Sequence, residues 1–129
     1  MKRRYDDVCR QSDRENSLEG ILNFLIVGAQ KAGTMAAVKN LNKHPDIFVL
    51  CECHFFDLYW DMGIEWYKKQ LRSNKPIIGE KTPELIYVDE CAVRIKQTCP
   101  GSKFILFLRD PVKRFTIKSY IAISFFNSV

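Results

Sequence analysis

The sequence lacks several features, and each absence narrows the class of protein. No apolar run approaches the ~20 residues that a membrane-spanning helix needs, so we expect no membrane span. No apolar segment follows the charged start, Met1 to Asp7, which argues against a secretory signal. Basic residues form no stripe interleaved with aromatics, so nothing favours a nucleic-acid partner. Internal repeats and low-complexity segments are also absent.

The cysteine pattern fits neither a disulfide framework nor a common metal site. The five cysteines are an odd number, and without a secretory signal they are predicted to be free thiols. The segment from Cys51 to His54 has metal-ligand residue types, but its spacing is not a common zinc pattern, and we expect no metal there. Cys91 and Cys99 share one face of a predicted helix and are interpreted as small core residues.

Length and charge indicate one domain that suits an anionic partner. The chain has 129 residues, of which 47% are hydrophobic. Residues 1–20 hold five basic and five acidic side chains and are interpreted as a mobile leader. The net charge of +5 therefore belongs to residues 21–129, the predicted folded part. This excess suits an anionic ligand or substrate, although it is also compatible with a simple solubility charge.

The most informative stretch runs from Asn23 to Leu41. Its apolar start, Phe24 to Val27, predicts a buried strand, and a loop from Gly28 to Thr34 leads into a helical pattern. Glycines there let the backbone approach a phosphate, while helix N–H groups and Lys31 attract the negative charge. The loop departs from the Walker A pattern, in which Lys directly follows the second Gly. An ordinary strand-to-helix turn is the alternative.

The rest of the chain repeats this order of strand and helix. Further strands are predicted at Ile47–Leu50, Pro76–Gly79 and Lys103–Leu108, with helical patterns between them. After the last strand, Asp110 and Pro111 should begin a helix that runs toward Phe125. Short connections between strands and helices predict an α/β fold in three layers, with a parallel sheet of about four strands.

Polar side chains follow each predicted strand at its carboxyl end, where the ligands of open parallel sheets bind. The residues are Lys31, Glu52, His54, Lys81, Thr82 and Arg109. Cations there can neutralise a leaving phosphate, and Glu52 can take a proton from an attacking hydroxyl. Structural roles without chemistry stay open as alternatives: Glu52 as a surface carboxylate, His54 as a packed histidine and Lys81 as a solvent-facing lysine. Arg109 has the alternative of an ion pair with Asp110 or Glu80.

Six segments in order resemble the sulfotransferases that use adenosine 3′-phosphate 5′-phosphosulfate (PAPS), especially the heparan sulfate 3-O- and N-sulfotransferase branch. They are Phe24–Thr34, Leu41–Pro45, Glu52–Asp57, Gly63–Tyr67, Gly79–Pro83 and Phe104–Arg114. The resemblance implies a P-loop-like α/β fold and transfer of a sulfuryl group to a hydroxyl or amine, with a glycan as acceptor. It also implies that the transfer step needs no metal.

The resemblance implies a role for each matched residue. Glu52 would be the general base, Lys31 would stabilise the leaving oxygen, and His54 would assist at the acceptor. Lys31 would also contact the 5′-phosphosulfate, and the four residues after it would help to bind the 5′-phosphate: Ala32, Gly33, Thr34 and Met35. Arg109 would bind the 3′-phosphate, and Lys81 and Thr82 would line the substrate site.

The sequence departs from the family pattern at the 3′-phosphate and in length. The serine that the family places eight residues after the arginine is replaced by Ile117, so Ser119 or Thr116 would have to take its role. Family domains are about twice as long, so residues 21–129 are predicted to be a partial domain. The resemblance implies a Golgi location, while the missing anchor leaves the cytoplasm open. A nucleotide-dependent phosphotransferase and a non-catalytic binding remnant are the alternative functions.

Overall fold

The computed structural model describes residues 16–115 and 122–126 of the chain. In this part of the chain, five strands form one sheet in the order β2-β3-β1-β4-β5. The first four strands pair with one another in parallel, and β5 pairs with β4 in antiparallel fashion. The strands are β1 (Phe24–Gly28), β2 (Ile47–Cys51), β3 (Ile77–Lys81), β4 (Lys103–Leu108) and β5 (Ala122–Phe126).

Helices cover both faces of the sheet and complete the predicted three layers. They are α1 (Thr34–Leu41), α2 (Ile64–Gln70), α3 (Asp89–Thr98) and α4 (Pro111–Phe115), with short 3₁₀ helices at Trp60–Met62 and Leu85–Tyr87. One core cluster contains Val38 of α1, and the opposite cluster contains Tyr67 of α2 and Cys91 of α3. The predicted α/β class is therefore confirmed.

Strand β1 lies in the middle of the sheet because its side chains are apolar on both faces. Leu25 packs into the cluster with α2 and α3, whereas Phe24 and Ile26 pack into the cluster with α1. Hydrogen bonds to β3 on one side and β4 on the other leave β1 no open edge. Its prediction as a buried strand is confirmed, and its central place fixes the loop after Gly28 at the middle of the sheet's carboxyl edge.

The prediction of a helix that runs from Pro111 toward Phe125 is wrong at its far end, because Ala122–Phe126 forms a strand. Asp110 caps α4 as predicted, since its Oδ1 accepts hydrogen bonds from the backbone N–H groups of Val112 and Lys113. Helix α4 is described over Pro111–Phe115 and Ala122–Phe126 forms β5, while residues 116–121 lie outside the described part of the chain. Isoleucine and paired phenylalanines favour a strand, and pairing with β4 satisfies their backbone groups.

Packing at the amino-terminal side begins before residue 21. Leu18, assigned above to a mobile leader, is completely buried, and its backbone N–H donates to the carbonyl of Thr98. The carboxylate of Glu19 accepts a hydrogen bond from the N–H of Gly101. These contacts attach the segment to the end of α3. The first fifteen residues of the predicted leader lie outside the described part.

The close approach of β3 to Phe24 gives a test of the fold. A Cβ atom at Gly79 would overlap the buried ring of Phe24. We therefore expect Gly79→Ala to lower the free energy of unfolding by about 1–3 kcal/mol, measured by urea denaturation. Gly101→Ala is the control, because its Cβ would meet only the movable carboxylate of Glu19. Equal stability of Gly79→Ala and wild type would show that the ring moves aside freely.

Candidate functional site

Loops after β1, β2 and β3 border a cleft of about 400 Å³ at the carboxyl edge of the sheet. Six residues predicted from the sequence line it together: Lys31, Gly33, Thr34, Met35, Glu52 and Lys81. The full lining is Gln30, Lys31, Gly33, Thr34, Met35, Glu52, Lys81, Pro83 and Glu84. Cations, carboxylates and a helix start are thus concentrated in one small volume, as the parallel topology requires.

The loop between β1 and α1 has the backbone geometry of an anion cradle. Lys31 and Gly33 have positive φ angles of 60° and 89°, which turn the chain sharply before α1. Thr34 opens the helix and is nearly buried, and no side chain caps the N-terminus. The first N–H groups of α1 therefore have no side-chain partner and can donate to an anion.

Glu52 and Lys81 form an ion pair that crosses from β2 to β3. Lys81 Nζ lies 2.7 Å from Glu52 Oε1, with the lysine side chain 2% exposed and the glutamate 51% exposed. The hydrogen bond from Lys81, followed by its charge, lowers the pKa of Glu52 below its ordinary value. Glu52 is therefore ionised at neutral pH and reaches the cleft. The alternative of Lys81 as a solvent-facing lysine is wrong.

The turn after β2 places Glu52 and His54 in left-handed backbone conformations, with φ angles of 53° and 57°. Such angles are unfavourable for residues with a Cβ and persist only where surrounding contacts hold them. Here the N–H of Glu52 donates to the carbonyl of Lys81, and the carbonyl of His54 accepts from Leu58 and Tyr59. The backbone thus fixes both side chains at the edge of the sheet.

His54 is held by a carboxylate that the sequence analysis missed. Its Nδ1 lies 2.9 Å from Oδ2 of the nearly buried Asp57. Partial burial lowers the pKa of His54, but the hydrogen bond and charge of Asp57, with Glu84 and Glu52, outweigh it and raise the pKa above its ordinary value. The imidazole therefore carries more positive charge near neutrality than a free histidine. A signal was available, since Asp57 follows His54 within one turn.

Arg109 reaches back to the loop after β1 with much of its hydrogen-bonding capacity unused. Its Nη1 donates to the carbonyl oxygen of Lys31 at 3.0 Å. Its Nε and Nη2 are buried, and no described residue accepts from them. Buried donors without partners are costly, which favours an anion beside them. Among the described residues, Arg109 makes no ion pair with Asp110 or Glu80, the alternative considered above.

Thr82, which was predicted to line the substrate site, faces the interior of the protein. It is completely buried, and its hydroxyl donates to Glu80 Oε1 at 2.7 Å, so its side chain does not line the cleft. Glu80 is also completely buried and accepts a second hydrogen bond from the hydroxyl of Tyr67. Burial raises the pKa of Glu80 to about 7. Ser119 and Thr116 lie outside the described residues.

Residues 16–115 and 122–126 contain no cluster of three or more histidine, cysteine or acidic side chains arranged to hold a metal ion. None of their helices combines the length and apolarity needed to cross a bilayer. Cys51, Cys53, Cys91 and Cys99 are all free, as predicted, and the last two are buried in the core.

The sheet order and the glycine loop before α1 define an α/β protein with a P-loop-like anion site. Comparison with solved structures finds the same fold in a sulfotransferase from Alicyclobacillus acidocaldarius, with a TM-score of 0.64 and 27% identity. That match covers 72% of this chain and 46% of the solved chain. No family model matches the sequence.

Curated proteins of similar sequence are also named sulfotransferases. The chain is 38% identical over 107 residues to the membrane-associated sulfotransferase kil1 of Dictyostelium discoideum, covering 78% of this chain and 23% of that protein. It is 40% identical over 93 residues to mouse heparan sulfate glucosamine 3-O-sulfotransferase 6, and 37% to human 3-O-sulfotransferase 3B1. These two matches cover 70% of this chain and 27% and 24% of the relatives. The chain thus spans about a quarter of its curated relatives, and the predicted resemblance to sulfotransferases is confirmed.

Proposed function

We propose that this chain forms the donor side of a sulfotransferase site, which transfers a sulfuryl group from PAPS to a hydroxyl or amine of a glycan. The observation that carries the proposal is the meeting of Lys31, Glu52 and Lys81 in one cleft beside the start of α1. The names of the heparan sulfate relatives support a glycan acceptor. A Golgi location stays a prediction.

The residues of the cleft fit one in-line transfer step. The acceptor oxygen or nitrogen forms a bond to sulfur while the bond between sulfur and the phosphate oxygen breaks. Glu52, ionised and half exposed, takes the proton that the acceptor loses. Lys31 neutralises the charge that develops on the leaving phosphate, and α1 contributes its N–H groups. Lys81 then has to share its charge between Glu52 and the sulfuryl oxygens.

Arg109 supplies the feature that separates this donor from other adenine nucleotides. Its Nε and Nη2, which no described residue accepts from, lie beside the loop between β1 and α1, where they can donate to a 3′-phosphate. ADP lacks that group. The alternative function, a phosphotransferase, would require a carboxylate after β4 to hold magnesium. Asp110 follows β4, but it already accepts hydrogen bonds from two backbone N–H groups as the cap of α4.

Titration calorimetry without metal tests the proposal, with PAP, the desulfated donor, against ADP. We expect PAP to bind at least about tenfold more tightly than ADP, and Arg109→Ala to remove that preference. Arg72→Ala is the control, since this exposed arginine lies away from the cleft. Equal affinity for PAP and ADP in a chain with cooperative unfolding would refute the donor assignment.

A further inference from the structure

We propose that helix α3 is the interface of a symmetric dimer, in which α3 of a second copy of this chain packs against it in the antiparallel direction. Four exposed residues form the contact surface: Asp89, Ala92, Val93 and Lys96. Counted from Asp89, the others follow after three, four and seven residues, which places all four in one stripe along the helix. The stripe lies outside the cleft of the proposed donor site, so its use is independent of the proposed function.

The stripe faces away from the sheet because the other side of α3 is fixed in the core. Cys91 and Ile95 are buried in the cluster that α3 shares with α2. At about 3.6 residues per turn, Val93 lies on the far side of the helix from both, and it is 56% exposed. The outer face of α3 thus carries apolar surface in its middle and is available to a second molecule.

Apolar surface continues beyond the stripe on the same side of the molecule. Ile86 and Tyr87, in the short 3₁₀ helix before α3, are 44% and 58% exposed. Beside α3 lies a cavity of about 550 Å³ with mainly apolar lining, including Ile86, Ala92 and Phe104. Exposed apolar surface that is continuous in this way is typical of a protein–protein interface, because covering it releases water.

The charges at the two ends of the stripe make this surface complementary to itself. Asp89 lies in the first turn of α3 and Lys96 in the last, and no described residue forms an ion pair with either. In an antiparallel pair of α3 helices, Asp89 of each copy faces Lys96 of the other, so the same contact is made twice about a twofold axis. Ala92 and Val93 then lie at the axis, where small side chains allow close packing. A parallel pair would bring like charges together.

The same register covers the apolar surface of both copies. It places Ile86 and Tyr87 of one copy opposite the end of α3 in the other, where Cys99 and Pro100 line the cavity. Burial of this apolar surface supplies the affinity, and the two charge pairs fix the direction and register of the helices. The partner that fits the surface is therefore a second copy of this chain.

Charge reversal, followed by sedimentation velocity on the full chain, tests the antiparallel pairing. Wild type should reach twice the monomer mass as its concentration rises from about 10 to about 500 μM. Asp89→Lys and Lys96→Glu each bring two pairs of like charges together and should weaken the dimer about 100-fold. An equimolar mixture of the two variants restores opposite charges at both contacts, so it should form a heterodimer about as stable as the wild-type dimer.

Glu65→Lys and Lys69→Glu are the matched controls, because they reverse exposed charges in the first and last turns of α2. Both should dimerise like wild type. The alternative role of Asp89 and Lys96 is to complement the dipole of α3, which changes stability to urea but gives no heterodimer on mixing. A wild type that stays monomeric, single α3 variants that still dimerise, or a mixture of them that stays monomeric would each overturn the dimer interface.

Discussion

Glu52→Gln is expected to slow sulfuryl transfer by about 10²–10⁴-fold while leaving the affinity for PAP unchanged. The substitution removes only the proton acceptor. Glutamine keeps an oxygen that can accept the hydrogen bond from Lys81 Nζ, so the buried lysine keeps a partner. Initial rates with PAPS and a heparan sulfate oligosaccharide as acceptor, together with calorimetry for PAP, measure the two effects separately.

A general base and a donor-binding residue would respond differently to this change. Glu65→Gln is the matched control, because Glu65 is an exposed glutamate that pairs with Lys68 on α2. It should keep the wild-type rate. Full activity of Glu52→Gln would rule out the base, and a loss of PAP affinity equal to the loss of rate would assign Glu52 to donor binding. Because the hydrogen bond from Lys81 lowers the pKa of Glu52, we expect the acid limb of the wild-type rate to lie below the ordinary pKa of a glutamate.

Glu80→Gln is expected to remove a fall in stability that wild type shows between about pH 4.5 and pH 7. Burial raises the pKa of Glu80 from its ordinary 4.5 to about 7, so the folded state keeps a proton that the unfolded chain loses. The stabilisation that wild type gains from protonated Glu80 is fully present below about pH 4.5 and is lost as the pH rises through about 7. The interval corresponds to a change on the order of 3 kcal/mol.

Urea unfolding at about pH 5 and about pH 8 measures the effect. Raising the pH should lower the free energy of unfolding of wild type more than that of Glu80→Gln, so the variant gains stability relative to wild type. A glutamine can still accept from the hydroxyl of Tyr67, and its amide can donate to the Thr82 oxygen. Glu90→Gln, which removes an exposed glutamate on α3, serves as the control. Parallel pH curves would mean that Glu80 is ionised in the fold.

Much of the site could be predicted because its signals are local in the sequence. The apolar run from Phe24, the glycine loop after it and the helical spacing up to Leu41 each specify one element. Parallel strands place their carboxyl ends at one edge, which was enough to predict that Lys31, Glu52 and Lys81 meet. The order of short motifs gave the sulfotransferase resemblance, although no single motif was specific.

Directions of side chains at the end of β3 could not be predicted in this way. Glu80, Lys81 and Thr82 are all polar, so the alternation of faces along a strand has no apolar marker to fix it. Tertiary packing places Glu80 and Thr82 inside, bonded to each other, and gives the cleft to Lys81. The hydrogen bond between Gln30 and Glu84 could not be predicted either, because the two residues lie 54 positions apart in the chain.

Sequence by itself thus determined the α/β class, the central strand, the anion loop and the residues at the carboxyl edge, all set by short-range periodicity and composition. Tertiary structure alone decided that Ala122–Phe126 pairs with β4, that Leu18 packs against the end of α3, and which carboxylates carry a partner. These features depend on contacts between residues far apart in the chain. Such contacts form only once the sheet has assembled, because its edge strand is then available for pairing and its face for packing.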